Sequence, residues 1–377
     1  MTQHVVPVHA GGIGPKSVTP DLLAAVGWLP EEQRSGTSIM VDHGFAAVSS
    51  NDPDVVVMPL AHALIEYPWV QQLVFSQISP EEDEIMRRAF ESTREPLGTF
   101  TWIKDGAKVS RPTQSFTVMT KPQERQFVHD ITVIGKNAVV DHVSGSAVAP
   151  ALTHATHVSV QETFIGDGAV VRSIDVDRWG EQMTVHSYDR TSIGQGAKVS
   201  SVSVAVSGLK KHVSDSVTKV GADSAYTSHS IVFAPNETVR EINSVVELSD
   251  KGAQAEQVSR MVADGGTIIN RSTLKAAVSG VKGFLECDGL MLAQTGRVES
   301  VPALDAMTAG AQLSHEASVG MIDDEKLDYL RALGLDEDHA RDLIVQGFLN
   351  LDDQRIPQSV RRTVEDLVSA ARGAEKM

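Results

Sequence analysis

Gly166-Asp167-Gly168-Ala169-Val170-Val171 and Gly194-Gln195-Gly196-Ala197-Lys198-Val199 are one six-residue unit written twice, a polar glycine-rich turn running through alanine into a β-branched run. The same unit occurs 31 residues before the first copy, as Gly135-Lys136-Asn137-Ala138-Val139-Val140. Gly221-Ala222-Asp223-Ser224-Ala225 follows 27 residues after the second. Asp250-Lys251-Gly252-Ala253 and Asp264-Gly265-Gly266-Thr267 come next, only 14 apart. Between the units lie short alternating runs such as Val158 and Val160, or Val199, Val202 and Val204. A spacing near 28 with one half-spacing is the signature of a β-solenoid whose turns stack in register. Glycine permits the positive φ that a corner needs, and β-branched residues line the stacked faces. A jelly roll or sandwich also has many short strands but does not favour so regular a period. The expected class is therefore mainly β, a parallel β-helix core over 121–318.

Two regions flank that core. Residues 1–120 read as a mixed helical region, and 319–377 as a helical one. In the first, Thr19-Pro20 caps a helix carrying Leu22, Leu23 and Val26. Ser79-Pro80-Glu81-Glu82 reads as a capping box before Ile85, Met86, Ala89 and Phe90. In the last region, Asp323 or Asp324 starts a helix stopped by Gly334, and Asp336 starts another stopped by Gly347. Pro357 opens a third with Val360, Val364, Leu367 and Ala371 on one face. Helices this short are marginal alone and must pack on the solenoid end or on another protein.

Composition removes several function classes. The 377 residues carry 33 Lys and Arg against 49 Asp and Glu, a net charge of −16. Phosphate-backbone binding requires a basic face, so nucleic acid is not an expected partner. Hydrophobic residues are 41% and charged ones 22%, which excludes wholesale disorder. Aromatics are only 5%, so the core is built from small side chains, as stacked strands allow. The single cysteine, Cys287, excludes an internal disulfide or a zinc site made of several thiolates from one chain. No signal peptide and no apolar run long enough to span a bilayer is present, so the expected location is the cytoplasm, with no membrane partner.

Few residues signal chemistry unaided. Gly11-Gly12-Ile13-Gly14-Pro15-Lys16-Ser17 fails as a phosphate loop, because Pro15 stands where that loop needs glycine before lysine. No GxGxxG, HExxH or GxSxG is present, so any ATP chemistry belongs to a partner. His154 and His157 lie near Glu162, but the following Val158 and Val160 indicate a strand, which sends the two rings to opposite faces. Lys210-Lys211-His212 reads as solvated surface. In Phe284-Leu285-Glu286-Cys287-Asp288-Gly289-Leu290-Met291-Leu292, strand alternation puts Cys287 with Leu285, Gly289 and Met291. Phe284, Glu286 and Asp288 take the other side. By residue physics alone the thiol is an inert core group, and the nearby carboxylates discourage its ionisation.

That segment, with Ser259-Arg260, Gly265-Gly266, Pro302-Ala303-Leu304-Asp305 and Leu313-Ser314-His315-Glu316-Ala317, resembles the SufB/SufD family of iron–sulfur cluster assembly scaffolds. The likeness runs on through Asp323-Asp324-Glu325-Lys326-Leu327-Asp328-Tyr329-Leu330, Gly334-Leu335, Ala340, Leu343-Ile344-Val345 and Gly347-Phe348. It is strong over about 240–350 and weak before about 120. The resemblance implies a β-helix that dimerises through its core, with itself or with a second family member. It also implies a soluble ABC-type ATPase of the SufC kind docked on the C-terminal helices. It further implies a transient iron–sulfur cluster at Cys287, His315 and Glu316, a sulfur donor, and apo-proteins that receive the product. A reduced flavin belongs to some systems of the family, although no motif here signals one. The extra N-terminal cysteines of many longer SufB proteins are absent, which removes a relay along a cysteine path. Imidazole and carboxylate complete a more labile shell than thiolates alone, which suits a scaffold that must release its product. Strict alternation sends His315 and Glu316 to opposite faces, so both serve one site only if the strand bends, bulges or ends there.

Two readings from other classes stand beside the non-enzymatic scaffold. An acyltransferase solenoid needs hexapeptide periodicity, which does not register here, and a lyase needs calcium carboxylates and an aromatic sugar platform. A purely structural solenoid differs from the scaffold in binding no cluster.

Overall fold

The computed structural model describes residues 18–122, 124–150, 152, 154–349 and 362. Five α-helices are assigned: α1 Pro20–Ala24, α2 Leu60–Glu66, α3 Glu84–Ser92, α4 Asp324–Ala332 and α5 Glu337–Leu349. The short leading strands are β1 Gly36–Val41, β2 Gly44–Ser50, β3 Val55–Pro59, β4 Thr99–Ile103 and β5 Thr113–Met119. Then come β6 Arg125–Ile134, β7 Val139–Val148, β8 Thr156–Ile165, β9 Val170–Arg178, β10 Thr184–Ile193, β11 Lys198–Ala205 and β12 Lys211–Val220. The series continues with β13 Ala225–Ala234, β14 Val239–Leu248, β15 Gln254–Ala263, β16 Thr267–Ala276, β17 Lys282–Met291, β18 Arg297–Ala306 and β19 Gln312–Met321.

Successive strands alternate between two sheets. One runs β19-β17-β15-β13-β11-β9-β7-β5-β1-β2, the other β18-β16-β14-β12-β10-β8-β6-β4-β3. From β5 and β6 onward all pairs are parallel and unbroken in register, with Thr156 beside Thr184 and Thr184 beside Lys211. This is the expected two-sheet solenoid. Its period is visible in the backbone: Asn137, Gly168, Gly196, Asp223 and Gly252 all have positive φ at successive corners of one edge. Only Gly, Asn and Asp reach that conformation readily, which is why the motif tolerates all three. The half-spacing belongs to the opposite edge, where Glu237 and Gly265 make the same turn. The sheets also run back past residue 121. β1, β2, β3 and β4 extend them, and the antiparallel β1–β2 and β3–β4 pairs finish that end of the ladder.

Helices cover the outside. Leu23 and Val26 of α1 share one buried cluster with Val176, Val204, Phe233, Val262 and Leu290 on the outer face of the first sheet. Leu327, Ala340, Val345 and Leu349 of α4 and α5 join it, so these helices lie on a lateral face instead of capping the last turn. The reason is that every second residue of the covered strands is apolar on its outward side. Thr19 and Pro20 begin α1 as expected, Thr19 Oγ1 accepting from Leu22 N–H at 3.2 Å. Asp323 and Asp336 cap α4 and α5, and Gly334 (φ 95°) ends α4. Two boundaries differ. Helix α3 starts at Glu84 because Asp83 accepts from Met86 N–H at 2.8 Å, while Ser79 Oγ is taken by Glu81 N–H. Gly347 lies inside α5, whose Ala340, Val345 and Leu349 hold it down by burial. The Gly11–Ser17 loop and the helix expected from Pro357 lie outside the described residues. No described helix is long and apolar enough to cross a membrane.

The segment between α2 and α3 is strapped to the outer face of the second sheet. Glu162, fully buried, accepts from Phe75 N–H at 2.7 Å, Gln77 N–H at 2.6 Å and His129 Nε2 at 2.8 Å. Tyr188 donates to Asp83 at 2.6 Å, and Arg190 pairs with Asp215 and Glu82.

Inside the solenoid, apolar columns line the glycine edge (Ile134, Ile165, Val199, Val220), and Met119, Trp179, Met183 and Leu209 cluster separately. Polar inward positions fill the middle turns. Ser144 donates to Asp175 at 2.5 Å, His157 Nδ1 meets Gln126 at 2.8 Å, and His142 meets Thr113 and Ser115. Arg240, fully buried, donates to Phe233 O, Ser207 O and His212 Nδ1. Because a guanidinium only donates, His212 must carry its proton on Nε2 and donate to Ser187 Oγ at 2.6 Å. Burial pushes His157 and His212 down to about 3 and His142 to about 4. Burial likewise pushes Asp177 up to about 8, helped by Asp175 and opposed by Arg240, and Asp189 up to about 7.

Two outcomes follow. Truncation of Glu162 to Ala leaves two buried N–H groups and His129 without an acceptor. It should cost about 3–5 kcal/mol in denaturant unfolding. Asp177 binds its proton more tightly folded than unfolded, so its contribution to stability is lost as pH rises from about 4 towards 8 and is constant above. An Asp177→Asn variant lacks that slope. Its stability relative to wild type should therefore grow between pH 5 and 8 and level off; a difference independent of pH would contradict the burial.

Candidate functional site

Cys287 sits in the penultimate strand of the first sheet, fully buried. β17 alternates as its sequence indicates: Gly283, Leu285, Cys287 and Gly289 are buried, while Phe284, Glu286 and Asp288 are half-buried on the other side. In-register partners in a parallel sheet share a face, so Cys287 lies between Ser259 of β15 and Ala317 of β19.

The thiol ends a buried polar chain. Gln257 Nε2 donates to Ser244 Oγ at 2.8 Å, Ser244 to Ser272 at 3.1 Å, and Ser272 to Asn270 Oδ1 at 3.3 Å. Asn270 Nδ2 then donates to Cys287 Sγ at 3.4 Å. Ser300 Oγ is buried nearby without a partner of ordinary hydrogen-bond geometry, as is Gln257 Oε1. Burial raises the thiol pKa first of all; Ser300, Ser272 and Asn270 pull it back, and Asp288 pushes it up again. The site thus holds a protonated thiol beside donors that favour the thiolate. This polar chain was not anticipated from the sequence. Its trace there is the spacing that sets Ser244 beside Ser272 one turn on.

β19 is a regular ten-residue strand paired with β17 without a register shift. Leu285 pairs with His315 and Glu286 with Glu316. His315 therefore projects on the thiol side and Glu316 on the outer side, both exposed. No bulge brings them to one face. Strand geometry sets the Cα atoms of Cys287 and His315 about 8 Å apart, one strand over and two residues along. Glu316 joins an outer acidic row with Glu286 and Asp288. Arg260 bridges those two carboxylates, and Ser318 donates to Asp288 at 2.5 Å. Among the described residues, no three His, Cys, Asp or Glu side chains of one chain are close enough to hold a metal ion. His157, by contrast, is structural, stacked on Trp179 at 4.7 Å, while His154 precedes β8 and so escapes the alternation argument. In the Lys210-Lys211-His212 cluster, His212 is buried and Lys211 pairs with Glu241 at 2.8 Å.

The last turn is open. Most of β18 and β19 is exposed, including Val301, Leu304, Val319 and Met321.

Comparison with known proteins agrees with this architecture. Residues 116–348 match the family described as SUF system FeS cluster assembly, SufBD core domain. An iron-sulfur cluster assembly SufBD family protein of Archaeoglobus fulgidus is 28% identical over 94% of this chain and 97% of its own. One of Methanothermobacter thermautotrophicus is 31% identical over 91% of this chain and 85% of its own. A third, from Pyrococcus horikoshii, is 25% identical over 78% of this chain and 66% of its own. On the solenoid and on these matches over most of its length, the chain belongs to the SufBD family of iron–sulfur cluster assembly proteins.

Proposed function

We propose that this chain is a non-enzymatic scaffold subunit on which an iron–sulfur cluster is assembled as cargo, with Cys287 as its thiolate anchor. The observation that carries the reading is the position of Cys287. The only thiol of the chain lies one strand from the open solenoid end, at the terminus of a buried polar chain. Thiolates are the preferred ligands of iron–sulfur clusters, and iron binding displaces the thiol proton. Asn270, Ser272 and Ser300 favour the thiolate once iron offsets the burial. His315 contributes from the same side. Glu316, on the other side, serves the approach of iron to the last turn. One thiol holds a cluster weakly, which suits transfer to apo-proteins.

A soluble ABC-type ATPase is the expected partner of the C-terminal helices. A cleft of about 500 Å³ lined by Tyr329, Leu330 and Ile344, with Tyr329, Leu333 and Leu343 exposed beside it, supports that docking. The working unit is a dimer in the cytoplasm, fed by a separate sulfur donor. Reduced flavin is not part of this proposal.

Anaerobic reconstitution with ferrous iron and sulfide, with and without the ATPase, tests the reading. Visible cluster absorption and bound iron should be lost in Cys287→Ala; equal negligible iron in both proteins would leave a structural solenoid. Removal of the donor to the sulfur in Asn270→Ala should weaken iron binding about 10-fold or more with the fold intact.

A further inference from the structure

The two strands that end the solenoid differ in what their free edges offer. In a parallel strand, alternate residues turn both backbone groups to opposite sides. Gln312 N–H bonds to Val281 O, so the even residues of β19 face β17 and the odd ones, from Leu313 to Met321, face outward. Arg297 N–H bonds to Gly266 O, so in β18 the even residues face outward. One of those is Pro302, which has no N–H to give. Among the described residues no strand pairs with either edge.

We propose that β19 pairs antiparallel with β19 of a second copy of this chain about a two-fold axis at Ala317, so that each assembly site is completed at that seam. This deepens the dimer reading above by fixing its strand, register and centre. Outward-facing groups of both strands must meet, so odd residues pair with odd. A two-fold at Glu316 would set two carboxylates directly opposite, which is unfavourable. A two-fold at Ala317 sets Glu316 against Ser318, His315 against Val319 and Leu313 against Met321 of the second copy, with no like charges opposed. It also overlaps nearly the whole strand. A second solenoid end matches the exposed cross-section in both sheets and covers Val319 and Met321.

The consequences reach the thiol. Ala317 is the in-register neighbour of Cys287, so the two Cys287 residues lie three strand steps apart, about 14 Å between Cα atoms. The inward-facing His315 of each copy sits beside Val319 of the other. The β18 edges lack the Pro302 donor, which leaves the seam weaker there. Pro302 is the register neighbour of Ser272, in the polar chain that reaches Cys287.

Disulfide trapping in the full chain tests this, with Cys287→Ser as background and mild oxidation. Ala317→Cys should cross-link to its own copy, its Cα pair falling near 5.5 Å, within disulfide range. Glu316→Cys and Ser318→Cys should link efficiently only when mixed. Self-linking of either one above that of Ala317→Cys would overturn the register. Separately, Ala317→Pro removes an outward N–H without touching the β17 ladder. It should give a monomer by light scattering with an unchanged thermal melt, whereas Ser318→Pro should lower the melt. A wild-type chain that is monomeric, or an Ala317→Pro chain that remains dimeric, would overturn the seam. Iron binding by Cys287 is read on its own, so loss of the register leaves the scaffold reading standing, and the reverse.

Discussion

Everything in this molecule depends on the in-register parallel ladder between successive turns. Once a corner has set which residue points inward, each strand inherits that parity from the one beneath it, because direct neighbours in a parallel sheet share a face. A single slipped residue would turn Cys287 out to solvent and carry Glu286 into the core. The corner residues at positive φ prevent that slip, since Asn137, Gly168, Gly196, Asp223 and Gly252 each hold the same place in the turn. The same parity carries His315 to the thiol side and Glu316 away from it, and decides which backbone groups are left at the open end.

The ladder also explains an unusual distribution of polarity. The outer face of the first sheet is covered by helices, so Ile174 and Val176 face outward while Asp175 and Asp177 face inward. Buried carboxyls keep their protons and buried imidazoles stay neutral, so the interior holds few net charges despite its polar lining. Arg240 is the conspicuous cation there, with two backbone carbonyls and His212 satisfying its donors. An interior of this kind is held by hydrogen bonds between neighbouring turns more than by large apolar side chains, in keeping with so few aromatics.

The repeat was legible because corner chemistry is local: only a few residue types accept the left-handed conformation, and they recur at the length of a turn. The lining was not. A Ser or Asp at every second position reads equally well as a solvated face, and only the helices lying on the other side decide between them. Local caps misled in the same way. Ser79 and Asp83 both offer oxygen to a helix start, and Tyr188, far off in sequence, helps to fix Asp83. Gly347 reads as a stop, yet the burial of Val345 and Leu349 carries the helix through it. At the site, Cys287 and its face followed from alternation, and so did the separation of His315 from Glu316. Asn270 and Ser300 come from another sheet, a relation that no single strand encodes.

Position along the ladder gives the single thiol its meaning. Cys287 is one strand short of the end, so β19 shields it within one chain, and a second copy would add further strands beyond. Access must come from the interior or from a seam that loosens. Helix α5 rests on the same sheet, where Val262 of β15 lies three residues along from Ser259, the register neighbour of Cys287. Force applied to α4 and α5 would therefore act on the strands that carry the thiol, with no need for a long relay. A rigid ladder transmits such a displacement along its hydrogen bonds more readily than it absorbs it. The weakest place to yield is the end turn, where an edge strand is paired on one side only and carries Pro302.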